Sequence, residues 1–185
     1  PMLGTIHARA RCCSKTITRR LTIRTFKAVS SLIDRDQIVT LAYEGSTATA
    51  NTIYPAYSGL KPYMDAIKDI VANSAVTYDP AKAEEFFTAA GYAKNSDGVW
   101  AKDGQPLAPV MLTDSGDPEA MKVAQVVADQ LTTGGVAVQL QPLAGAVQES
   151  ARLAGSWDIA APQAFCPGTI YEDMELFHSK FYVPV

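Results

Sequence analysis

Cysteine is scarce in this chain: three in 185 residues. Cys12 and Cys13 are adjacent, a separation at which a mutual bridge is strained, and Cys166 has no neighbour in sequence, so no disulfide framework is expected. Histidine is scarcer still, with only His7 and His178, and no Cys-x-x-Cys occurs. These spacings argue against a zinc site, and neither a metal nor any other cofactor is expected. No apolar run approaches the ~18 residues that cross a bilayer. The first residues also lack the apolar core of a secretory leader, so the export signal of an exported parent would lie outside this chain. Acid is missing from one region altogether. Between Pro1 and Ile33 there is no Asp or Glu, while Arg9, Arg11, Lys15, Arg19, Arg20, Arg24 and Lys27 are basic. The net charge of the whole is nevertheless -3, which does not mark a nucleic-acid protein. Walker loop, dinucleotide fingerprint and nucleophile elbow are absent, and the glycines stand at helix ends and turns.

What remains is a chain of ordinary apolar content, long enough for one domain or a fragment of a larger one. Residues 1–20 show no helical or strand period and are read as a basic, atypical, poorly ordered arm, with 21–185 as the folded unit. Phe26, Val29, Leu32 and Ile33 predict a helix over 24–33. Asp34 then caps a second helix whose apolar face is Ile38, Leu41 and Ala42, and Asp34-Arg35-Asp36 serves capping and surface pairing rather than catalysis. Residues 46–62 form a long irregular connection; Tyr54, Tyr57 and Tyr63 either line a pocket or pack the loop. Met64, Ile67, Ile70 and Val71 predict a helix over 62–72. The clearest helix follows: Asp79 at the cap, Pro80 at the first position, Gly91 at the end, and a buried side of Ala83, Phe86, Phe87 and Ala90.

Two strands, 99–102 and 106–113, are predicted to form a hairpin through Asp103-Gly104. Asp117 and Pro118 open another helix with an apolar stripe of Met121, Ala124, Val127, Ala128 and Leu131, closed by Gly134-Gly135. A strand at 136–140, a helix at 144–154, a strand at 157–161 and a helix at 170–177 complete the pattern. The order β-α-β-α-β from Pro106 predicts an α/β unit with parallel strand pairing. In such a sheet, ligand sits beyond the strand ends. The candidate binding wall is therefore the loop after the 157–161 strand, where Gln163, Phe165, Cys166, Thr169 and Tyr171 combine amide, aromatic, thiol and hydroxyl groups. Cys166 and His178 are the only candidates for nucleophilic chemistry, and the sequence supplies neither with an activating partner. Glu172 and Asp173 fall in the first turn of the last predicted helix, where the helix dipole accounts for them.

Four stretches in order resemble the extracytoplasmic solute-binding proteins of ABC importers, family 5, which includes dipeptide-, oligopeptide- and nickel-binding members. They are Lys27 through Val39 with Ile33-Asp34-Arg35-Asp36; Tyr78-Asp79-Pro80-Ala81-Lys82-Ala83 through Ala89-Ala90-Gly91-Tyr92; Asp97-Gly98-Val99-Trp100 with Lys102-Asp103-Gly104; and Ala124 through Leu131 followed by Gly135-Val136 and Trp157-Asp158-Ile159. Phe26 and Leu32 depart from the Arg and Ala usual in the first. The resemblance covers roughly residues 26–185. It implies an α/β fold of the periplasmic-binding-protein type II kind, here a partial C-terminal lobe with a mixed sheet flanked by helices. It also implies a non-enzymatic, periplasmic or cell-surface receptor that captures small peptides and hands them to an ABC permease.

Peptide-binding members anchor the ligand's amino terminus with an Asp in the loop after the last strand, and Gln163 to Thr169 contains none. The ending His178-Ser179-Lys180-Phe181-Tyr182-Val183-Pro184-Val185 is similar to a stretch in members that take oligosaccharides, a role that Phe165, Tyr171 and Gln163 would fit. Since family members enclose ligand between two lobes, weak or no binding by the chain alone is expected. Two readings of other classes stand beside this one: a basic arm that contacts nucleic acid or anionic lipid, and a small hydrolase using Cys166 or His178.

Overall fold

The structure is a computed structural model that describes residues 22–49, 59, 61–74 and 76–160. Three local signals recur at its helix starts. Thr22 caps α1 (Ile23–Ser31), Asp34 caps α2 (Arg35–Ala42), and Asp79 caps α4 (Pro80–Ala89). Each side-chain oxygen accepts from a backbone N–H of the first turn, which would otherwise lack a partner. Asp117 does the same for α5 (Pro118–Thr133), taking the N–H groups of Glu119 and Ala120. Between α2 and α4 lies α3 (Lys61–Ser74).

Pro80 and Pro118 stand at the first helical position of their helices, where a missing N–H costs nothing. The first predicted helix stops at Ser31 rather than Ile33, but Leu32 and Ile33 remain in the core. Several residues assigned to apolar faces sit elsewhere. Leu41 is 58% exposed, and Ile38, Val39 and Ala42 bury α2 instead. Met121 is only half-buried, while Ala120 and Val123 turn inward on α5. On α3, Tyr63, Ile67 and Ile70 are exposed.

The predicted hairpin exists but is shorter and has an additional strand. β1 (Ala93–Lys94), β2 (Trp100–Lys102) and β3 (Gln105–Pro106) form a small antiparallel sheet. Asp103 and Gly104 both have positive φ in the two-residue turn. The stretch 106–113 is not one strand. Pro109 has no N–H to give, and the chain passes there from the hairpin to β4 (Val110–Asp114) in a second sheet. β5 (Gln139–Leu143) starts three residues later than the apolar alternation suggests, because Val136 is buried in the crossing before it. After α6 (Gly145–Ala154) comes β6, of which Ile159 and Ala160 form the ladder.

The second sheet has the order β5-β4-β6, and both pairings are parallel. Met111, Leu112 and Thr113 on the central strand are all at most 1% exposed, so both faces of β4 are covered. The core runs from this strand through α5 to α1, α4 and the hairpin. Phe87 stacks on Trp100 at 4.7 Å and meets Tyr92 edge-on at 6.0 Å. The Trp100 indole N–H donates to the Gly134 carbonyl, and the Trp100 backbone N–H to that of Gly135, which binds the hairpin to the end of α5. α1 packs on α4, and α2 on α5. Gln130 on α5 secures the second contact. Its amide accepts from the Asp34 N–H at 3.1 Å and donates to the Asp34 carbonyl at 3.1 Å.

Candidate functional site

The parallel sheet defines the place to look. β4 leads through α5 to β5 on one side, and β5 leads through α6 back across β4 to β6 on the other. Adjacent strands whose connections run in opposite directions leave a crevice beyond their C-terminal ends. Here the described strands reach that edge at Asp114 and Ala160. β6 is parallel to β4 in the register Met111 with Ile159 and Leu112 with Ala160, so the backbone leaves Ala160 directed toward the edge where β4 ends.

Several groups at this edge are already engaged. The Asp114 carboxylate accepts from the Gly116 N–H at 2.8 Å, and its carbonyl accepts from the Asp117 N–H at 3.3 Å. The Ser115 N–H donates to the Leu143 carbonyl, which ties the β4 exit to the β5 exit. The Thr113 hydroxyl is fully buried without a partner among the described residues. The first turn of α6 opens at the same edge, and the methyl group of its cap residue Ala144 makes no capping hydrogen bond.

The strand that delivers the candidate loop is fixed at its start by three consecutive residues. The Trp157 indole N–H donates to the Arg152 carbonyl at 3.0 Å, closing the end of α6. The Asp158 carboxylate accepts from the Val110 N–H at 2.9 Å, while the Asp158 N–H donates to the Val110 carbonyl at 3.0 Å. Ile159 is buried in the core. Burial pushes the Asp158 carboxyl above its ordinary pKa, against the opposing pull of the Val110 N–H.

Gln163, Phe165, Cys166, Thr169 and Tyr171 lie outside the described residues, as do Tyr54, Tyr57, Glu172, Asp173, His178, Cys12, Cys13 and the arm over residues 1–20. Of the three tyrosines considered as pocket lining, Tyr63 is described, and its side chain is exposed on α3. Asp34-Arg35-Asp36 is structural: Asp34 caps α2, and Arg35 donates to the Val76 carbonyl at 2.9 Å.

A second concavity, not anticipated from the sequence, lies where α2, α4 and α5 approach. It has a volume of about 440 Å³ and is lined in part by Leu41, Tyr78, Val126, Asp34, Asp129 and Gln130. Its residues are separated by up to about a hundred positions, so no local pattern announces it. Among the described residues no group of three His, Cys, Asp or Glu side chains is placed to hold a metal ion. Among them, too, no helix is long and apolar enough to cross a membrane.

Comparison with known proteins gives a consistent result. Residues 19–169 match the family described as bacterial extracellular solute-binding proteins, family 5 Middle. The oligopeptide-binding protein AppA of Bacillus subtilis is 26% identical over 156 residues, which are 83% of this chain and 28% of that protein. The structure of NikA from Brucella suis, in complex with Fe(III)-EDTA, aligns with a TM-score of 0.67 at 27% identity, over 91% of this chain and 31% of that one. A mannohexaose-bound periplasmic oligopeptide-binding protein from Thermotoga maritima aligns with a TM-score of 0.67 at 25% identity, over 77% of this chain and 27% of its own. The chain thus spans about three-tenths of the length of the relatives it matches. Its α/β architecture is part of a lobe of the type II periplasmic binding proteins.

Proposed function

The chain belongs to the bacterial extracellular solute-binding proteins of family 5, and from that premise we propose that it forms part of the substrate-binding component of an ABC importer. In this reading it works outside the cytoplasm, binds small peptides without chemical turnover, and serves a permease in the whole protein. The ligand wall is the segment after β6, with Phe165 and Tyr171 as apolar contacts and Gln163, Cys166 and Thr169 as polar ones. The observation that carries the reading is the parallel β4–β6 pairing, in which β6 points toward the C-terminal edge of the sheet at Ala160, where ligands sit in sheets of this kind. The match to an oligopeptide-binding protein supports peptide as the ligand class.

An oligosaccharide is the second reading, favoured by the likeness to a mannohexaose-bound structure. Rings such as Phe165 and Tyr171 suit the apolar faces of sugars, and Gln163 suits their hydroxyls.

Amide hydrogen exchange with tetra-alanine or mannohexaose at tens of millimolar distinguishes the two. These concentrations allow for the weak binding expected of part of a two-lobed receptor. Protection confined to residues 163–171 with one ligand class supports the wall and names the class. Protection elsewhere in the chain, or none with either class in the whole protein, overturns the assignment.

A further inference from the structure

Asp-Gly occurs twice in the chain, at Asp97-Gly98 and Asp103-Gly104, and both pairs lie in the small antiparallel sheet's turns. In such a pair no side chain on the glycine shields its nitrogen, which can attack the carboxyl carbon of the aspartate before it. A C–N bond forms, the carboxyl C–OH bond breaks, and the hydroxyl leaves with the amide proton as water. Water then opens the resulting succinimide ring at either carbonyl. One opening restores aspartate; the other gives isoaspartate, in which the main chain runs through the side-chain methylene. The two sites are equally open, since a Cβ at Gly98 or at Gly104 meets nothing within 4 Å, and all four residues are exposed to water. Their nitrogens are held differently. The Gly98 N–H donates to the Asn95 carbonyl at 3.0 Å. The Asn95 side chain fixes the same turn by accepting from the Asp97 N–H at 3.0 Å and the Val99 N–H at 2.9 Å. Asp103 and Gly104 are instead the two central residues of a turn in which Lys102 pairs with Gln105. A turn of this kind is closed by its outer residues and makes no use of the second central N–H. The Gly104 N–H accordingly has no acceptor among the described residues. Asp103 is also held at φ +52°, a conformation that costs an L-residue energy.

We propose that Asp103 is a modification site of this protein, converted spontaneously to isoaspartate through the free Gly104 nitrogen, while the Asn95 turn protects Asp97. The reaction needs no reagent but water and leaves the mass of the chain unchanged. Isoaspartate adds one methylene to the main chain between Lys102 and Gln105, and a two-residue turn has no slack to absorb it. The farther end of the hairpin keeps its own bond, from the Leu107 N–H to the Trp100 carbonyl at 2.7 Å, so the damage stays at the turn.

The test is to hold the whole chain at neutral pH and body temperature for several weeks, folded and in concentrated urea. Peptides are then mapped by mass spectrometry with electron-transfer fragmentation, which separates isoaspartate from aspartate. Releasing one hydrogen-bonded N–H changes its availability by about fivefold, so isoaspartate should build up at least about fivefold faster at Asp103 than at Asp97 in the folded chain. In urea, where neither turn exists, the two rates should agree to within about twofold, because a single hydrogen bond of the fold makes the difference. Asn95→Ala removes the side-chain acceptor of the protected turn. It should raise the rate at Asp97 about threefold or more and leave Asp103 unchanged, since one lost bond loosens the turn without unfolding it. Equal rates at the two sites in the folded chain overturn the proposal, as does a faster rate at Asp97. A preference for Asp103 that persists in urea overturns it too, since the neighbouring sequence rather than the turn would then be the cause. So does a folded chain that forms no isoaspartate at Asp103 over a period in which the chain in urea does.

Discussion

Gly135 is the position where the fold is least able to accept a side chain. Its φ is +86°, in the region where an L-residue crowds its own carbonyl. A Cβ added there would also stand 2.6 Å from the Gly98 carbonyl oxygen and 3.3 Å from Cδ1 of Trp100. Neither neighbour can withdraw easily. Gly98 sits in a turn held by its own N–H on the Asn95 carbonyl and by the Asn95 side chain accepting from Asp97 and Val99. Trp100 is pinned by two hydrogen bonds to Gly134 and Gly135 and by the Phe87 stack. Gly135→Ala therefore combines about 1–2 kcal/mol of backbone cost with about 1–3 kcal/mol of overpacking.

Gly45 provides the control. Its φ is +71°, yet a Cβ there meets nothing within 4 Å, so Gly45→Ala carries the backbone cost alone. At roughly 2–4 °C per kcal/mol for a chain of this size, Gly135→Ala should melt about 2–12 °C below Gly45→Ala. Tryptophan fluorescence should change in the first variant and not in the second. Equal melting points for the two would refute the idea that the hairpin is locked onto the end of α5.

Two further outcomes follow from other groups. Tyr43 is buried between α2 and the start of α5, and burial together with the Glu119 and Asp117 carboxylates pushes its phenol up to about 12. Since the folded pKa exceeds the unfolded value of about 10, the stability it contributes is intact below about pH 10 and lost as pH rises toward 12. A spectrophotometric titration should show one late tyrosine that disappears in Tyr43→Phe. Arg152 pairs with Glu149 across one turn of α6, holding that carboxyl below its usual range through their hydrogen bond, but both side chains are substantially exposed. Arg152→Ala should change stability by less than about 1 kcal/mol in thermal melts, because solvent screens the pair and the Arg152 carbonyl still receives the Trp157 indole.

Helix starts were the most legible feature of the sequence. Asp34, Asp79 and Asp117 act within three residues of themselves, so their role needs no knowledge of the fold. Faces were legible to within about a third of a turn. Leu41 and Met121 lie at the margin of their stripes, and only the packing partner decides which side of a margin is covered. Strand limits were harder. The strand read at 136–140 runs on to Leu143 through Pro142, because β5 is an outer strand among the described residues, where a missing N–H is tolerated. The Gln130–Asp34 bridge spans 96 positions and the Val110–Asp158 bond 48, and no local pattern carries such pairs. The candidate wall was reached through strand order rather than through a motif of its own, and its residues fall outside the described part of the chain.

The physical division of labour along β4 gives this arrangement its sense. At one end the strand enters from Leu107 and Pro109 beside the buried Trp100, Phe87 and Val136. At the other it ends in Asp114, which accepts from the Gly116 and Asp117 N–H groups, while the Ser115 N–H bonds to the exit of β5. Apolar contact is non-directional and supplies stability wherever it occurs, whereas hydrogen bonds fix direction but contribute little net energy. Stability can thus reside at the hairpin end while the opposite edge is left to set geometry. β6 bridges the two regimes: Ile159 belongs to the core, and Asp158 holds the backbone by two directional bonds just before the chain reaches the edge. On this division, substitutions near Trp100 should act on the folded population as a whole. Those at Asp158 should act on the start of the β4–β6 pairing, read as faster exchange at the Val110 N–H, even at equal loss of stability.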